Sequence, residues 1–227
     1  MQRVIITGAT GVIGKEAASF MEASGYEVTK CARSLGHNLD NEEFVKDWFK
    51  KNPAHHLVNL FALNDHVSEQ AEETENLYNV SLDSIGRYLN TNITSLFSVC
   101  REYARNNKKG NIVNFSSVYG LVSPDPRIYK NGKHKHIGYS VSKAGVLQLT
   151  KYLAVHLAPN IRANTVIPGG VLNDQEQDFK NRYSNKCPMK RMMEAKEING
   201  IIKYLCSDAS SYCNGAEFVL DGGYTAW

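Results

Sequence analysis

An α/β fold with a doubly wound parallel sheet is predicted from three features of this chain. Short apolar runs alternate with longer amphipathic stretches, the pattern of buried strands and covering helices. The first apolar run leads directly into the glycine-containing segment T-G-A-T-G-V-I-G. The length of 227 residues suits one domain with a substantial core, so we expect residues 1–227 to form a single domain.

The elements follow one another in a regular order. Acidic residues open the stretch 41–51, as the positive end of a helix dipole favours, and Pro53 ends it. Between Arg33 and Leu39 there is no room for a full crossover helix, so we expect none between strands 2 and 3. The predicted strands lie near 3–7, 27–32, 56–61, 111–115, 161–167 and 216–220, and the predicted helices near 13–24, 41–51, 92–106, 139–157 and 194–206.

Composition argues against several classes of protein. The net charge of +3 is small, and Lys and Arg are spread along the chain, so no nucleic-acid partner is expected. The five cysteines form no CxxC pair, which favours reduced thiols and a reducing compartment. Because no apolar run is long enough for a signal peptide or a membrane span, we expect a soluble cytoplasmic protein.

Three glycines mark a candidate nucleotide site. Gly8, Gly11 and Gly14 follow a strand and open a helix, which lets backbone N–H groups approach a pyrophosphate at the positive helix end. The pattern is typical of a single Rossmann-type sheet with helices on both faces. The alternative is that these glycines only make a tight strand-to-helix turn.

The end of the second strand bears on the choice of cofactor. An acidic residue there would bind the ribose 2′-hydroxyl of NAD, but this chain has Arg33 and Ser34. Both suit a 2′-phosphate, so NADP(H) is favoured over NAD(H). The alternative is that Arg33 is an ordinary solvated arginine.

Four polar residues form a candidate catalytic set. Tyr139 and Lys143 are four apart, so they share one face of the predicted helix. An adjacent ammonium favours the phenolate and brings the pKa of a tyrosine toward the working range. Ser117, at the end of a strand, would hydrogen-bond the reacting oxygen. Asn92 would anchor a water or a backbone group behind Lys143.

Together these motifs make the chain similar to the short-chain dehydrogenase/reductase family over essentially its whole length. One departure is the glycine spacing T-G-x-x-G-x-x-G, which is more like the family's longer sugar-nucleotide branch. Another is N-L-F-A where compact members have N-N-A-G. The matching segments are T-G-A-T-G-V-I-G, N-L-F-A, N-I-T, V-N-F-S-S-V-Y-G, Y-S-V-S-K-A-G, V-I-P-G-G-V and S-D-A-S-S-Y-C-N-G-A-E-F-V-L-D-G-G.

The resemblance implies roles for individual residues. Tyr139 is the expected proton donor and acceptor, Lys143 also holds the nicotinamide ribose, Ser117 and Asn92 complete the catalytic set, and Asn173 replaces the usual threonine. A sheet of about seven strands and a homodimer or homotetramer are implied as well. The implied cofactor-binding residues are Gly8, Thr10, Gly11, Val12, Ile13, Gly14, Arg33, Ser34, Leu39, Asn59, Phe61, Ala62, Tyr139, Lys143, Pro168, Gly169, Val171 and Asn173.

A long basic loop at residues 122–138 lies between Ser117 and Tyr139, and we interpret it as a substrate lid. Its charge suits an anionic substrate such as a sugar phosphate, a nucleotide sugar or a carboxylate; the alternative is a solvated surface loop. No metal site is predicted, because His134 and His136 have no third ligand. The candidate substrate-binding residues are Arg127, Lys133, His134 and Lys135.

The predicted function is NADP(H)-dependent hydride transfer to or from a keto or hydroxyl group of a small anionic sugar derivative. The segments S-P-D-P-R-I-Y and D-G-G-Y-T-A-W also resemble a subgroup that accompanies bacterial surface-sugar pathways, including nonulosonic acids and flagellin modification. Two alternatives stay open. One is a sensor or scaffold that binds the nucleotide without chemistry, and the other is an epimerase or dehydratase that uses the nicotinamide transiently.

Overall fold

Six parallel strands form one sheet in the computed structural model, which describes residues 1–65, 67, 76–130 and 133–227. The strands are β1 (Arg3–Thr7), β2 (Glu27–Cys31), β3 (His56–Asn59), β4 (Gly110–Phe115), β5 (Ile161–Pro168) and β6 (Glu217–Leu220). Their order across the sheet is β2-β1-β3-β4-β5-β6, and each neighbouring pair is parallel. All carboxyl ends therefore meet at one edge of the sheet.

Helices cover both faces of this sheet. They are α1 (Val12–Ala23), α2 (Glu42–Lys51), α3 (Leu82–Leu89), α4 (Leu96–Asn106), α5 (Ile137–Leu157), α6 (Gln177–Lys186) and α7 (Asn199–Leu205). Buried residues of α2, α4 and α5 pack against one face, and those of α1 and α7 pack against the other. The predicted doubly wound α/β architecture is confirmed.

Alternation along the strands divides the core into these two layers. In β1, Ile5 faces the α2/α4/α5 layer, whereas Val4 and Ile6 face the α1/α7 layer, and all three are fully buried. In β4, Ile112 and Val113 divide in the same way. Each such side chain contributes about 2 kcal/mol of burial free energy, so the central strands need apolar residues on both sides.

Two expectations about the second strand are wrong. The helix predicted at 41–51 is present as α2 and connects β2 to β3, where no helix was expected; the side chain of Asn41 caps it by accepting from Phe44 N at 3.0 Å. Within the described residues the sheet has six strands rather than about seven. After the edge strand β2 the chain turns through a short 3-10 segment, Arg33–Leu35, and passes directly toward α2. No segment is left there to pair outside β2.

Smaller differences concern helices with weak sequence signals. α3 and α6 were not expected, and α6 is rich in polar residues, so its apolar periodicity is faint. The helix expected at 92–106 begins with a π-helical stretch, Asn90–Ser95, before α4. The helix expected at 194–206 begins as a 3-10 turn, Ala195–Ile198, before α7.

Within the described ranges, the helices lack the combination of length and apolar character that a membrane span requires.

Candidate active site

A glycine turn after β1 brings three chain segments together. Gly8 has a φ of +67°, and a side chain there would meet Phe61 N at 2.6 Å. A side chain at Gly14 would collide with the carbonyl oxygen of Gly8. Gly11 precedes α1, and no side chain caps the first N–H groups of that helix. The turn therefore requires glycine and presents uncapped N–H groups at a helix end, as a phosphate-binding site does.

A cleft of about 540 Å³ opens beside this turn, at the carboxyl ends of β1, β2 and β3. It reaches from the glycine turn to the segment after β3. Eight of its lining residues are among those implied as cofactor ligands, namely Gly8, Thr10, Gly11, Arg33, Ser34, Leu39, Phe61 and Ala62. The remaining lining residues are Ala32, His37, Asp40, Leu60, Leu63 and Thr91.

Other implied cofactor residues of the first βαβ unit do not line this cleft. Val12 is partly exposed on α1, Ile13 packs on the α1/α7 layer, and Gly14 is buried in the turn. The Asn59 side chain is inside the sheet, where it donates to Asn114 Oδ1 at 2.8 Å and accepts from Thr7 Oγ1 at 3.0 Å. Asn59 therefore ties β1, β3 and β4 together, and its amide does not face the cleft.

Arg33 is engaged at the rim of the cleft. Its guanidinium contacts Asp40 Oδ2 at 3.2 Å while the side chain stays 75% exposed. Asp40 in turn accepts from Ser95 Oγ at 2.7 Å and from Thr91 Oγ1 at 3.3 Å. Ser34 donates to Thr10 Oγ1 at 2.8 Å across the cleft. The loop after β2 is thus fastened to the glycine turn and to the π-helical stretch.

Tyr139 and Lys143 lie on one face of α5, close to the end of β4. Both are buried, and the Lys143 ammonium donates to Phe115 O at 2.9 Å and lies 5.8 Å from the Tyr139 ring centroid. Ser117 follows β4, and its Oγ accepts from Tyr119 N at 3.2 Å. Gly120 allows this segment to touch the backbone of Lys143, since a side chain there would lie 2.8 Å from it.

The titration of these groups reflects their burial. Burial raises the pKa of Tyr139, and the hydrogen-bonding influence of Ser117 lowers it in part. Burial lowers the pKa of Lys143 to about 8, and the positive charge of Lys135 contributes to the decrease. Ser116 does not act on the phenol: its hydroxyl donates to Lys143 O at 2.7 Å. Of the two serines, Ser117 is the one that influences Tyr139.

Asn92 connects the π-helical stretch to two other parts of the site. Its side chain accepts from Leu63 N at 2.7 Å and donates to Leu63 O at 3.1 Å, which fixes the segment after β3. It also donates to Ser142 Oγ at 2.9 Å, and Ser142 donates to Tyr139 O at 2.8 Å. Asn92 thus anchors a backbone group and the turn of α5 that carries Tyr139.

The predicted lid residues have different environments, and residues 131–132 of the lid lie outside the described residues. Arg127 is 86% exposed and pairs with Asp125 at 2.8 Å; this hydrogen bond is the main cause that holds the pKa of the carboxyl far below its usual range. Lys133 and Lys135 are buried, and His134 is half-buried. The Lys135 ammonium lies 4.6 Å above the Tyr139 ring centroid.

The residues implied near the nicotinamide follow β5. Gly169 N donates to Leu220 O at 2.9 Å, and Val171 pairs with Met193 in an isolated bridge. Asn173 N donates to Gln175 Oε1 at 2.7 Å. Pro168 ends β5 itself. These contacts place 168–173 at the same edge of the sheet as the glycine turn.

A cluster of tyrosines beside the site was not foreseen. Tyr119 and Tyr129 share a hydrogen bond at 3.0 Å between their hydroxyls, and Tyr183 stacks on Tyr224 with centroids 4.9 Å apart. Burial raises the pKa of Tyr129 to about 12, and the proximity of Tyr139 adds to the increase. In the sequence, a tyrosine within a polar segment does not indicate whether its side chain points into the protein or into solvent.

Comparison with known proteins agrees with this geometry. A family model described as enoyl-(acyl carrier protein) reductase matches residues 4–225. A D-arabinitol 2-dehydrogenase [ribulose-forming] of Candida tropicalis is 33% identical over 206 residues, 84% of this chain and 69% of that protein. The post-translational flagellin modification protein A of Campylobacter coli is 35% identical over 152 residues, 65% of this chain and 59% of that protein.

A solved structure has the same architecture. It is a short chain dehydrogenase from Leptospira borgpetersenii with bound NAD+, and it superposes with a TM-score of 0.85 at 26% identity. The alignment covers 99% of this chain and 92% of that one.

Proposed function

We propose that this chain, which belongs to the short-chain dehydrogenase/reductase family, transfers hydride between NADP(H) and a keto or hydroxyl group of a small anionic sugar derivative. Membership makes it an NAD(P)-dependent oxidoreductase, and the cofactor choice and the substrate are the proposed parts. The observation that carries the proposal is the position of Tyr139 and Lys143 on one face of α5, at the end of β4, which Ser117 follows.

The residues around the cleft fit a nicotinamide dinucleotide. Gly8 and Gly11 line the cleft beside the uncapped start of α1, where backbone N–H groups can receive a pyrophosphate. The cleft of about 540 Å³ is within the range of cofactor sites. When bound, the dinucleotide supplies or accepts the hydride, which is the chemistry that no side chain of this protein performs.

Tyr139 is the proposed acid/base. Its phenol protonates the carbonyl oxygen during reduction and removes the hydroxyl proton during oxidation. Ser117 hydrogen-bonds that oxygen and holds it near the phenol. Lys143, fixed by its bond to Phe115 O at 2.9 Å, places a positive charge where it stabilises the phenolate. Asn92 fixes the segment that carries Leu63 relative to the turn of α5 that carries Ser142.

Arg33 and Ser34 support the proposed preference for NADP(H). They lie on the cleft wall at the end of β2, where the ribose of the adenosine half is expected. Arg33 can form charge-assisted hydrogen bonds to a 2′-phosphate, because its guanidinium is largely exposed and needs only to turn from Asp40. Among residues 32–34, which follow β2 directly, there is no carboxylate to bind a 2′-hydroxyl.

The substrate class is supported by charge and by relatives. Two lysines of the lid, Lys133 and Lys135, are buried rather than solvated, and the Lys135 ammonium lies near the Tyr139 ring. One of the relatives is named for D-arabinitol, a sugar alcohol, and the other for flagellin modification. A sugar-type substrate that carries a negative group satisfies both observations.

We also propose a cytoplasmic homodimer or homotetramer. All five cysteines are free, and four of them are buried, which suits a reducing compartment. Apolar side chains that remain exposed on α5, including Val141 and Val155, would be covered in an oligomer.

Replacing Tyr139 by Phe tests the proposed chemistry. Oxidation of NADPH with a panel of keto-sugars should fall by about 10²- to 10⁴-fold, because the proton donor is lost, while the affinity for NADPH changes little. Tyr152→Phe is the matched control, since Tyr152 lies on the same helix and is exposed.

An unchanged rate in Tyr139→Phe would exclude Tyr139 as the acid/base. Binding of NADPH without turnover by the wild type would favour a sensor, and product formation without change at 340 nm would favour an epimerase.

A further inference from the structure

Lys135 has a buried ammonium that pairs with no carboxylate among the described residues. The residue is 9% exposed, and its ammonium donates to Asn64 Oδ1 at 2.6 Å and to Asp65 O. Both acceptors are formally neutral. Asp65 directs its own carboxylate to the Tyr88 hydroxyl, which donates to Asp65 Oδ2 at 2.9 Å. In the part of the chain that the structure describes, no carboxylate lies within ion-pair distance of Lys135.

Burying this ammonium costs free energy unless a counter-ion pairs with it. An ammonium removed from water loses several kcal/mol of hydration, and two neutral acceptors replace only part of it. Burial accordingly lowers the pKa of Lys135 to about 8, although the nearby Asp65 carboxylate opposes the change. An ammonium has three donor protons, and here two have acceptors. The environment is therefore suited to receive an anion.

The position of the Lys135 ammonium relative to Tyr139 indicates where that anion would lie. The ammonium is 4.6 Å from the Tyr139 ring centroid, closer than the ammonium of Lys143 at 5.8 Å. The phenol that exchanges the proton is thus flanked by two cations, on α5 and on the segment before it. A negative group bound to Lys135 must be near the oxygen that Tyr139 protonates.

We propose that Lys135 is the residue that selects the substrate, by binding a carboxylate attached to or next to the carbon that accepts the hydride. This inference rests on the proposed function and narrows it to keto acids of the sugar series, such as 2-keto aldonates. A phosphate ester at the far end of a sugar does not fit, because it would lie away from the phenol. Among the described residues two acceptors take hydrogen bonds from the ammonium, so the carboxylate would accept from its third donor proton and compensate the buried charge.

Three compounds separate these possibilities. 2-Keto-D-gluconate has a carboxylate next to its ketone, D-fructose has a hydroxymethyl group in that place, and D-fructose 6-phosphate carries its anion at the other end. Each is titrated into the enzyme saturated with NADP+, where the ketone cannot be reduced, so binding is measured without turnover. Reduction with NADPH is then measured separately.

The expected result is that the wild type binds 2-keto-D-gluconate about ten- to hundredfold more tightly than the other two compounds. Lys135→Gln should abolish this preference while its affinity for D-fructose changes less than about twofold, and Lys135→Arg should restore part of it. Lys130→Gln is the matched control, because Lys130 lies in the same loop but pairs with Asp178. This variant should bind the three compounds like the wild type.

Equal weakening of all three compounds in Lys135→Gln would assign Lys135 a structural role and overturn the proposal. A preference for D-fructose 6-phosphate that depends on Lys135 would also overturn it. Carboxylate-selective binding without reduction by NADPH would support Lys135 as the anion site and count against the proposed hydride transfer, so the two failures are distinguishable.

Discussion

Single residues determine the chemistry, and Tyr139 illustrates how. Helical spacing alone placed Lys143 beside it, because residues four apart share a face of α5. Lys135 is also four residues away, but it precedes the helix start at Ile137, so no periodic rule applies to it. Its position over the phenol ring follows from its contacts with Asn64 and Asp65, which are distant in the chain.

Arg33 offers the most direct test of cofactor choice. Arg33→Ala should weaken binding of NADPH by about ten- to hundredfold and leave NADH within about twofold, because only NADPH carries the 2′-phosphate. Fluorescence titration of both reduced cofactors measures the effect. Lys30→Ala is a matched control, since Lys30 is an exposed cation of β2, three residues before Arg33, that pairs with Glu22 instead. An equal loss for both cofactors would remove the proposed preference for NADP(H).

Among the elements, the π-helical stretch before α4 contributes most to the site. A regular α-helix was expected over 92–106, and the observed wider turn carries Asn92 and Thr91 toward other segments. Asn92 reaches the segment after β3, and Thr91 reaches Asp40 at the cleft rim. π-Helical turns are often found at functional sites, and their local sequence has no distinctive pattern.

Removing the Asn92 amide should affect both stability and activity. Asn92→Ala leaves Leu63 N, Leu63 O and Ser142 Oγ without their partner, which should cost about 2–4 kcal/mol of unfolding free energy. The rate should fall as well, because Ser142 bonds the carbonyl of Tyr139. Urea unfolding and turnover measure the two effects. Asn90→Ala is the control, because Asn90 is exposed in the same turn. An Asn92→Ala enzyme as stable as that control would contradict the anchoring role of Asn92.

Across the molecule, the sheet creates the site by collecting the ends of distant segments. Parallel pairing brings the glycine turn after β1, Ser117 after β4 and the Pro168 turn after β5 to one edge. The helices cover the two faces of the sheet, and Lys135 and Lys143 are buried. Two buried ammonium groups reduce the stability of the whole fold, and we expect this cost to be measurable.

Replacing Lys143 by Met should stabilise the protein at neutral pH while abolishing activity. The folded-state pKa of Lys143 is about 8, below its ordinary value of 10.5, so the buried charge costs stability in full below pH 8. The expected gain at pH 7 is about 2 kcal/mol, since each pKa unit corresponds to about 1.4 kcal/mol and the lost bond to Phe115 removes part of it.

The gain should shrink as the pH rises from about 8 toward 10.5, where the wild-type ammonium loses its proton in the folded chain and the penalty disappears. Urea unfolding at pH 7 and pH 10 measures the difference. Lys151→Met, an exposed lysine of the same helix, should show no comparable pH-dependent gain. A Lys143→Met protein less stable than the wild type at both pH values would refute the argument.

Local patterns were enough to identify the α/β class, the glycine turn and the Tyr139–Lys143 pair, because strand alternation and helical spacing act between neighbours in the chain. They located the six observed strands but did not exclude a seventh beyond β2, since the turn at Arg33–Leu35 has no periodicity, and they missed the helix α6, which is rich in polar residues. The pairing of Arg33 with Asp40, the inward direction of Asn59 and the placement of Lys135 over Tyr139 were decided by packing alone. These contacts depend on which loops the sheet brings to its carboxyl edge, and that proximity exists only once the chain has folded.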